Sequence, residues 1–307
     1  MKIISGLKGK KIDNRKIAPY LFTFPFILSF LLFFIYPMIY MFVMSFQRLE
    51  GIDKIKFIGF DNYKRIFTDT HLGTAFANSF LFTIGILIIN VVLGVLLAVA
   101  LNSKKTPLRN FFRSSIYLPA LTSIIVAGIY FRLFFGSGEQ TPLNTLMRLL
   151  NLPAKQWLFN TKLSGIIALV IMSSWRWLGT NTVYFLCGLQ SIPDELFEAA
   201  SIDGANAVQR FWNVVVPGLK PIFVFVITVL TYGGLRMFGE SFVLWTNGDT
   251  PGDIGLTIVL YIYKTAFNQF DTGYASALSV ILFIGLVLIN LMYVRFLGIG
   301  SKEAGQL

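Results

Sequence analysis

The sequence predicts an all-α integral membrane protein with six transmembrane helices, and three observations carry that prediction. Of its 307 residues, 55% are hydrophobic and only 13% are charged, with a mean hydropathy of +0.69. A soluble domain of this length needs more charge to cover its surface. Six apolar runs reach the roughly 20 residues that a helix needs to cross a ~30 Å hydrocarbon core. The lysines and arginines behind the net charge of +11 fall in short clusters between those runs. That placement argues against nucleic acid, which calls for one continuous basic face.

Taken in order, residues 1–17 form a basic tail carrying Lys2, Lys8, Lys10, Lys11, Arg15 and Lys16. The first span, about 20–46, is longer than the ~7–15 residues of a signal-peptide core, so it reads as a retained helix. Pro25 and Pro37 are expected to kink it, which neighbouring helices can accommodate. A loop with a short amphipathic helix follows, then a second span at about 77–101. Gly85, Gly94 and Ala98 in this span allow close helix approach. The third span, about 115–135, is interrupted by Pro119. Residues 136–163 form a loop with a short helix. The fourth span, about 164–188, contains Trp175-Arg176-Trp177. The fifth runs over about 221–245 and the sixth over about 274–297, while 257–270 is expected to dip along the interface. Residues 301–307 form a second tail, and 18–300 make one transmembrane domain.

With the N-terminus inside, fourteen lysines and arginines fall on the inner side and nine on the longer outer loops. The positive-inside rule then places both termini in the cytoplasm. It places there, too, the one long polar segment between spans four and five, which reads EAASIDGANAVQRFWNVVVPGLKP. Ser191 is expected to cap a helix here, with Asp194 reaching back to it. Glu195, Glu198, Ala199 and Ala200 follow on that helix. Gly204 permits a sharp turn, and Phe211, Trp212 and Val215 mark the apolar side of a second short helix. Two readings fit these residues: an amphipathic helix lying on the interface, or a projection gripped by a soluble partner. Alanines at 199 and 200 would leave such a projection narrow, and Glu198 and Asp203 would give it charges for a basic groove to match.

This segment resembles the EAA loop of binding-protein-dependent ABC importer permeases. The match runs through Glu198-Ala199-Ala200, Asp203-Gly204-Ala205, Phe211, and Pro217 to Pro221. Val214 and Val216 depart conservatively from the usual isoleucine and leucine. PYLFTFPFILSFLLFFIYP, GLQSIPDELFEAA, TIVLYIYKTAF and GYASALSVILF are similar to the maltose-permease-like subfamily that imports sugars, so the resemblance runs from Pro19 onward. It implies a six-helix core paired with a second homologous permease, in a bacterial cell membrane. It also implies two cytoplasmic ATPase subunits and an extracytoplasmic solute-binding protein, with alternating access driven by ATP. ATP and Mg would sit on the ATPase subunits, and this chain would bind no cofactor of its own. In keeping with that, the sequence contains no G-x-x-x-x-G-K-[ST] phosphate-binding loop.

Sugars are recognised by hydrogen-bonding groups and aromatic faces in a bounded cavity. The substrate-path candidates are therefore Trp175, Arg176, Trp177 and Asn181 on the fourth span and Tyr232, Arg236 and Glu240 on the fifth. The last three are spaced four apart on one helical face. They admit two readings: a wall of the path, or an Arg236–Glu240 ion pair near the outer surface. Arg132 is expected to snorkel at its span end. If Arg132, Arg176 and Arg236 all face the path, the cargo could be an acidic oligosaccharide or a sugar phosphate. An ion-gradient-driven transporter is the rival class, but Glu240 is the only carboxylate inside a predicted span. Enzymes are disfavoured by the lack of a histidine or paired carboxylates in the spans. With one cysteine, Cys187, and one histidine, His71, the chain has no disulfide framework and no Cys/His metal site of its own.

Overall fold

The computed structural model describes residues 14–50, 54–103 and 106–297. The lysines at 2–11, Lys104, Lys105 and the 301–307 tail lie outside the described residues. The described residues open with α1 (Asn14–Phe30), a π turn (Leu31–Ile35) and α2 (Tyr36–Met44), which together hold one apolar stretch, Pro19–Met44, long enough to cross a membrane. The wide turn directly precedes Pro37, whose ring can donate no ladder hydrogen bond.

The loop after α2 holds a hairpin that the sequence did not announce. β1 (Gln47–Glu50) pairs antiparallel with β2 (Lys54–Phe57), Arg48 opposite Lys56. Four-residue strands rich in charge carry too little periodicity to be recognised. α3 (Asp61–Ile66) follows, where Asn62 Nδ2 donates to the carbonyls of Ser45 and Gln47 and locks hairpin to helix. α4 (Thr70–Asn102) starts seven residues before the predicted second span, because Asp69 caps it by accepting from the backbone amides of His71 and Leu72.

The third apolar segment is broken. α5 (Arg109–Leu121) and α6 (Ile124–Phe134) meet at 96° across Thr122–Ser123. Pro119 withholds one amide from the ladder, and both linking residues are extended, with ψ of 134° and 136°. α7 (Pro142–Leu149) is the predicted short loop helix. α8 (Lys162–Gln190) is one uninterrupted helix at the centre of the packing, and it lies along α4. The alignment with α5 is closest at Gly179, where any Cβ would overlap the backbone carbonyl of Ile116. Small residues at such crossings let helix backbones touch.

The polar segment contains α9 (Asp194–Ile202), α10 (Ala207–Arg210), a π turn (Phe211–Val215) and α11 (Val216–Gly218). α12 (Lys220–Leu235) meets the Ala207–Gly218 stretch at 68°. The fifth apolar segment is therefore not one helix over 221–245. It stops at Leu235 after Gly233-Gly234 and resumes as α13 (Gly239–Leu244). Gly234 is needed there, since a Cβ would come within 2.5 Å of Thr83 Oγ1 on α4.

α14 (Ile258–Tyr263) and a π turn (Lys264–Asn268) cover the region expected to lie along the interface. They pack inside the protein instead, on α4 and on α15 (Thr272–Leu297), with Leu260 fully buried. Leu256, Ile258, Leu260 and Tyr261 give this stretch an apolar side that the protein itself covers. Among the described residues, four helices are long and apolar enough to cross a membrane, and the two bent pairs raise the number to as many as six.

Candidate substrate path and coupling segment

A cavity of about 330 Å³ lies between α4, α8 and the α12–α13 junction. Phe82, Ile86 and Asn90 line it from α4; Ser173, Trp177, Thr180, Asn181 and Tyr184 line it from α8; Arg236 to Glu240 close it at the helix break. Four of the seven path candidates thus share one cavity: Trp177, Asn181, Arg236 and Glu240. Trp175 points away, with its ring edge-on to Phe131 at 5.4 Å. Tyr232 and Arg176 are not among the lining residues.

Buried amides organise the wall. Asn181 Nδ2 donates to Asn90 Oδ1 at 3.2 Å and to the Trp177 carbonyl at 2.9 Å. Asn90 Nδ2 in turn donates to Ser174 Oγ and the Ile86 carbonyl. Both asparagines are at most 3% exposed. Asn90 was missed in the sequence, although an amide midway through an apolar run is itself a signal of a partner or a cavity.

The expected Arg236–Glu240 ion pair does not form. α12 ends at Arg236, so Glu240 no longer continues the face of Tyr232 and Arg236. Glu240 pairs instead with Arg176, Oε1 to Nη1 at 3.2 Å, with both side chains only 12% exposed. Arg132, near the end of α6, donates from Nη1 to Thr246 Oγ1. Arg236 is exposed and forms no ion pair among the described residues, which leaves it the free cation of the cavity lining.

In the polar segment, Ser191 does not start a helix. It ends α8, its hydroxyl donating to the Gly188 carbonyl, while Pro193 sets the start of α9. Asp194 and Glu195 then sit in the first turn, where carboxylates meet the positive end of the helix dipole. α9 closes in a Schellman motif: Gly204 N donates to the Ser201 carbonyl and Ala205 N to that of Ala200, with Gly204 at φ +73°. Asn206 and Gln209 form a reciprocal capping box for α10. Phe211, Val214 and Val215 pack onto the core, but Trp212 stays 61% exposed, because the π turn rotates it off that face. Ile202 is 86% exposed beside Glu198 and Asp203, which have no ion-pair partner among the described residues. The segment therefore presents apolar and acidic side chains together to its surroundings.

A second polar cluster lies at the start of α4. Tyr261 and Tyr274 each donate to Asp69 Oδ2 at 2.6 Å. Burial alone would raise the Asp69 carboxyl, but these two hydroxyls and the amides of Leu72 and His71 outweigh it and hold it below the usual carboxylate range. Arg65 stacks on Tyr274 at 4.0 Å and pairs with Asp271, and His71 Nδ1 meets Asp253. Burial and the Asp69 hydrogen bond both push the Tyr261 hydroxyl upward, so it remains a donor. No group of three or more possible metal ligands occurs among the described residues.

Comparisons with known proteins agree with this architecture. Residues 90–297 match the family described as binding-protein-dependent transport system inner membrane component. An arabinooligosaccharides transport system permease protein, AraP, from Bacillus subtilis is 45% identical over 93% of this chain and 90% of its own length. A multiple sugar-binding transport system permease protein, MsmF, from Streptococcus mutans is 31% identical over 88% and 91% respectively. A solved bacterial ABC transporter that imports the acidic polysaccharide alginate has a chain of the same fold, with TM-score 0.81 and 20% identity over 94% of this chain and 98% of that one. The chain belongs to the family of binding-protein-dependent transport system inner membrane components, as the permease subunit of an ABC transporter rather than an enzyme.

Proposed function

We propose that this chain forms one half of the membrane channel of an ATP-driven oligosaccharide importer. The observation that carries the reading is the cavity. Its volume lies at the small end of ligand sites, about 300–1,000 Å³, and its wall sets amides and a free arginine beside Trp177, Tyr184 and Phe82. That mixture suits sugar rings, which offer hydroxyls at the edge and C–H faces for stacking. The relatives that transport arabinooligosaccharides and multiple sugars support the same class.

In this reading the two bent pairs count as spans, giving six, with both termini in the cytoplasm. Glu198, Ala199, Ala200, Asp203, Gly204 and Ala205 dock into a groove of a cytoplasmic ATPase subunit, with the exposed Ile202 seated among them. A second, homologous permease completes the path, two ATPase subunits bind ATP and Mg, and an extracytoplasmic binding protein delivers the cargo. ATP then drives alternating access, with α9 transmitting the motion to α8 and α12. The test is uptake of labelled arabino-oligosaccharides by proteoliposomes holding all of these components. ATP-dependent uptake that also requires the binding protein supports the reading. Uptake driven by an ion gradient without ATP refutes it.

Acidic cargo is a second reading, favoured by Arg236 alone. Two of the three arginines that suggested it are engaged, Arg176 by Glu240 and Arg132 by Thr246.

A further inference from the structure

The two broken segments have their breaks facing one another. Beyond them α6 and α13 are packed at backbone distance. A Cβ on Gly128 would lie 2.6 Å from Val243 Cβ, and one on Gly239 would lie 2.5 Å from Ile124 Cδ1. α5 and α12, on the near side of the breaks, pack chiefly on α8 and α4, whereas α6 and α13 pack chiefly on each other and more sparingly on α8. α6 and α13 therefore make one body, joined to the rest of their segments by extended or irregular residues at 122–123 and 236–238.

α8 is the unbroken helix that passes both breaks, and Arg176, midway along it, reaches them together. Nη2 donates to the Thr122 carbonyl at 3.5 Å, and Nη1 pairs with Glu240 in the first turn of α13. A helix break in an apolar setting leaves carbonyls without their ladder partners, so a donor at Thr122 meets a real need. The Arg176 Nε is buried with no partner. The guanidinium is thus held by these two contacts and by the Trp177 ring, 5.5 Å away. Glu240 lines the cavity and Arg176 does not. One end of the ion pair faces the cargo and the other faces the breaks.

We propose that Arg176 is a positioning residue for transport, a latch that fixes the α6–α13 body in place until cargo in the cavity competes for Glu240. A sugar hydroxyl hydrogen-bonded to Glu240 weakens the pair, frees both breaks and lets the body swing. Removing one partner of a buried pair leaves the other uncompensated, so the latched arrangement loses its advantage in either single variant.

The inference rests on the importer reading, so the complete complex in proteoliposomes serves as its own control. If the parent complex shows no uptake dependent on ATP and binding protein, that reading fails and the latch with it. With uptake established, R176Q, E240Q, R176K and the R176Q/E240Q double variant are compared. The readouts are ATP hydrolysis without binding protein and sugar moved per ATP. A latch predicts that each glutamine variant raises unstimulated hydrolysis by roughly 5-fold or more and moves less sugar per ATP. It also predicts that the double variant matches the singles, since both remove one interaction. A purely structural role lowers both rates in proportion to assembled complex and leaves their ratio unchanged. Parental hydrolysis and stoichiometry in assembled E240Q, or independent effects that multiply in the double variant, overturn the proposal. Should R176Q fail to assemble, the near-isosteric E240Q and the charge-retaining R176K decide the matter by the same readouts.

Discussion

Asn181 shows how much of the path a single amide organises. Its Nδ2 joins α8 to Asn90 on α4, with both residues in the cavity wall. Asn181→Ala should leave Asn90 Oδ1 without a donor, at a cost of roughly 1–3 kcal/mol. Reconstituted Asn181→Ala is expected to show a reduced maximal uptake rate with unchanged sugar affinity of the binding protein; a parental rate would remove Asn181 from the path. Gly204 is decided by backbone instead. No heavy atom lies within 4 Å of where its Cβ would stand, so only its positive φ excludes other residues. Alanine there costs about 1–2 kcal/mol, and proline, fixed near −65°, cannot adopt it at all. Gly204→Pro, or tryptophan at Ala199, should therefore uncouple ATP hydrolysis from transport while the chain still inserts. Normal transport with a normal ATPase complex would end the coupling role.

Among the elements, the junction of α3, α4, α14 and α15 depends on one carboxylate. Asp69 caps α4 and accepts from Tyr261 and Tyr274, and its folded-state pKa lies below the ordinary value of 3.8. A depressed carboxylate contributes stability that is fully present above the unfolded value and is lost as pH falls through the folded one. Thermal melts of the purified protein should lose part of their Tm below about pH 4, and Asp69→Asn should be less stable at neutral pH with a flatter acid limb. An unchanged acid limb in that variant would assign the loss to other groups. This cluster was illegible in the sequence because Asp69 and Tyr274 are 205 residues apart. By contrast, α4, α8 and the helical character of the polar segment were legible, since apolar length and capping residues are local signals. The breaks at Thr122 and Arg236 were only half legible. Pro119 and Gly233-Gly234 mark weak points, but whether a helix bends there depends on what its neighbours offer the freed backbone.

At the scale of the whole molecule, Arg236 is the group through which the charge of the cargo can be tested. Paired uptake of neutral and uronic-acid oligosaccharides, each offered with a binding protein that accepts it, separates the two readings. If acidic cargo is native, Arg236→Gln should slow the acidic substrate by roughly 10-fold or more, as loss of a charge-assisted hydrogen bond implies, and spare the neutral one. Equal effects on both substrates would leave neutral oligosaccharides as the cargo. One hydrophobic cluster runs through α4, α8 and the start of α12 and takes in Ala127 and Phe131 of α6 and Leu244 of α13, so any movement of the α6–α13 body has to slide along that shared core.

The membrane class, the permease family and the helical polar segment between α8 and α12 were legible in the sequence alone. Those features are written in runs, periodicities and contiguous motifs. Which charges meet was set by the packing of the helices. It drew Glu240 away from Arg236 to Arg176, fixed Arg132 on Thr246 and gathered Asp69 with two distant tyrosines. The reason is that charge pairing in an apolar setting follows three-dimensional proximity, and a helix break of three residues is enough to turn one side chain from its neighbour in sequence to a partner on another helix.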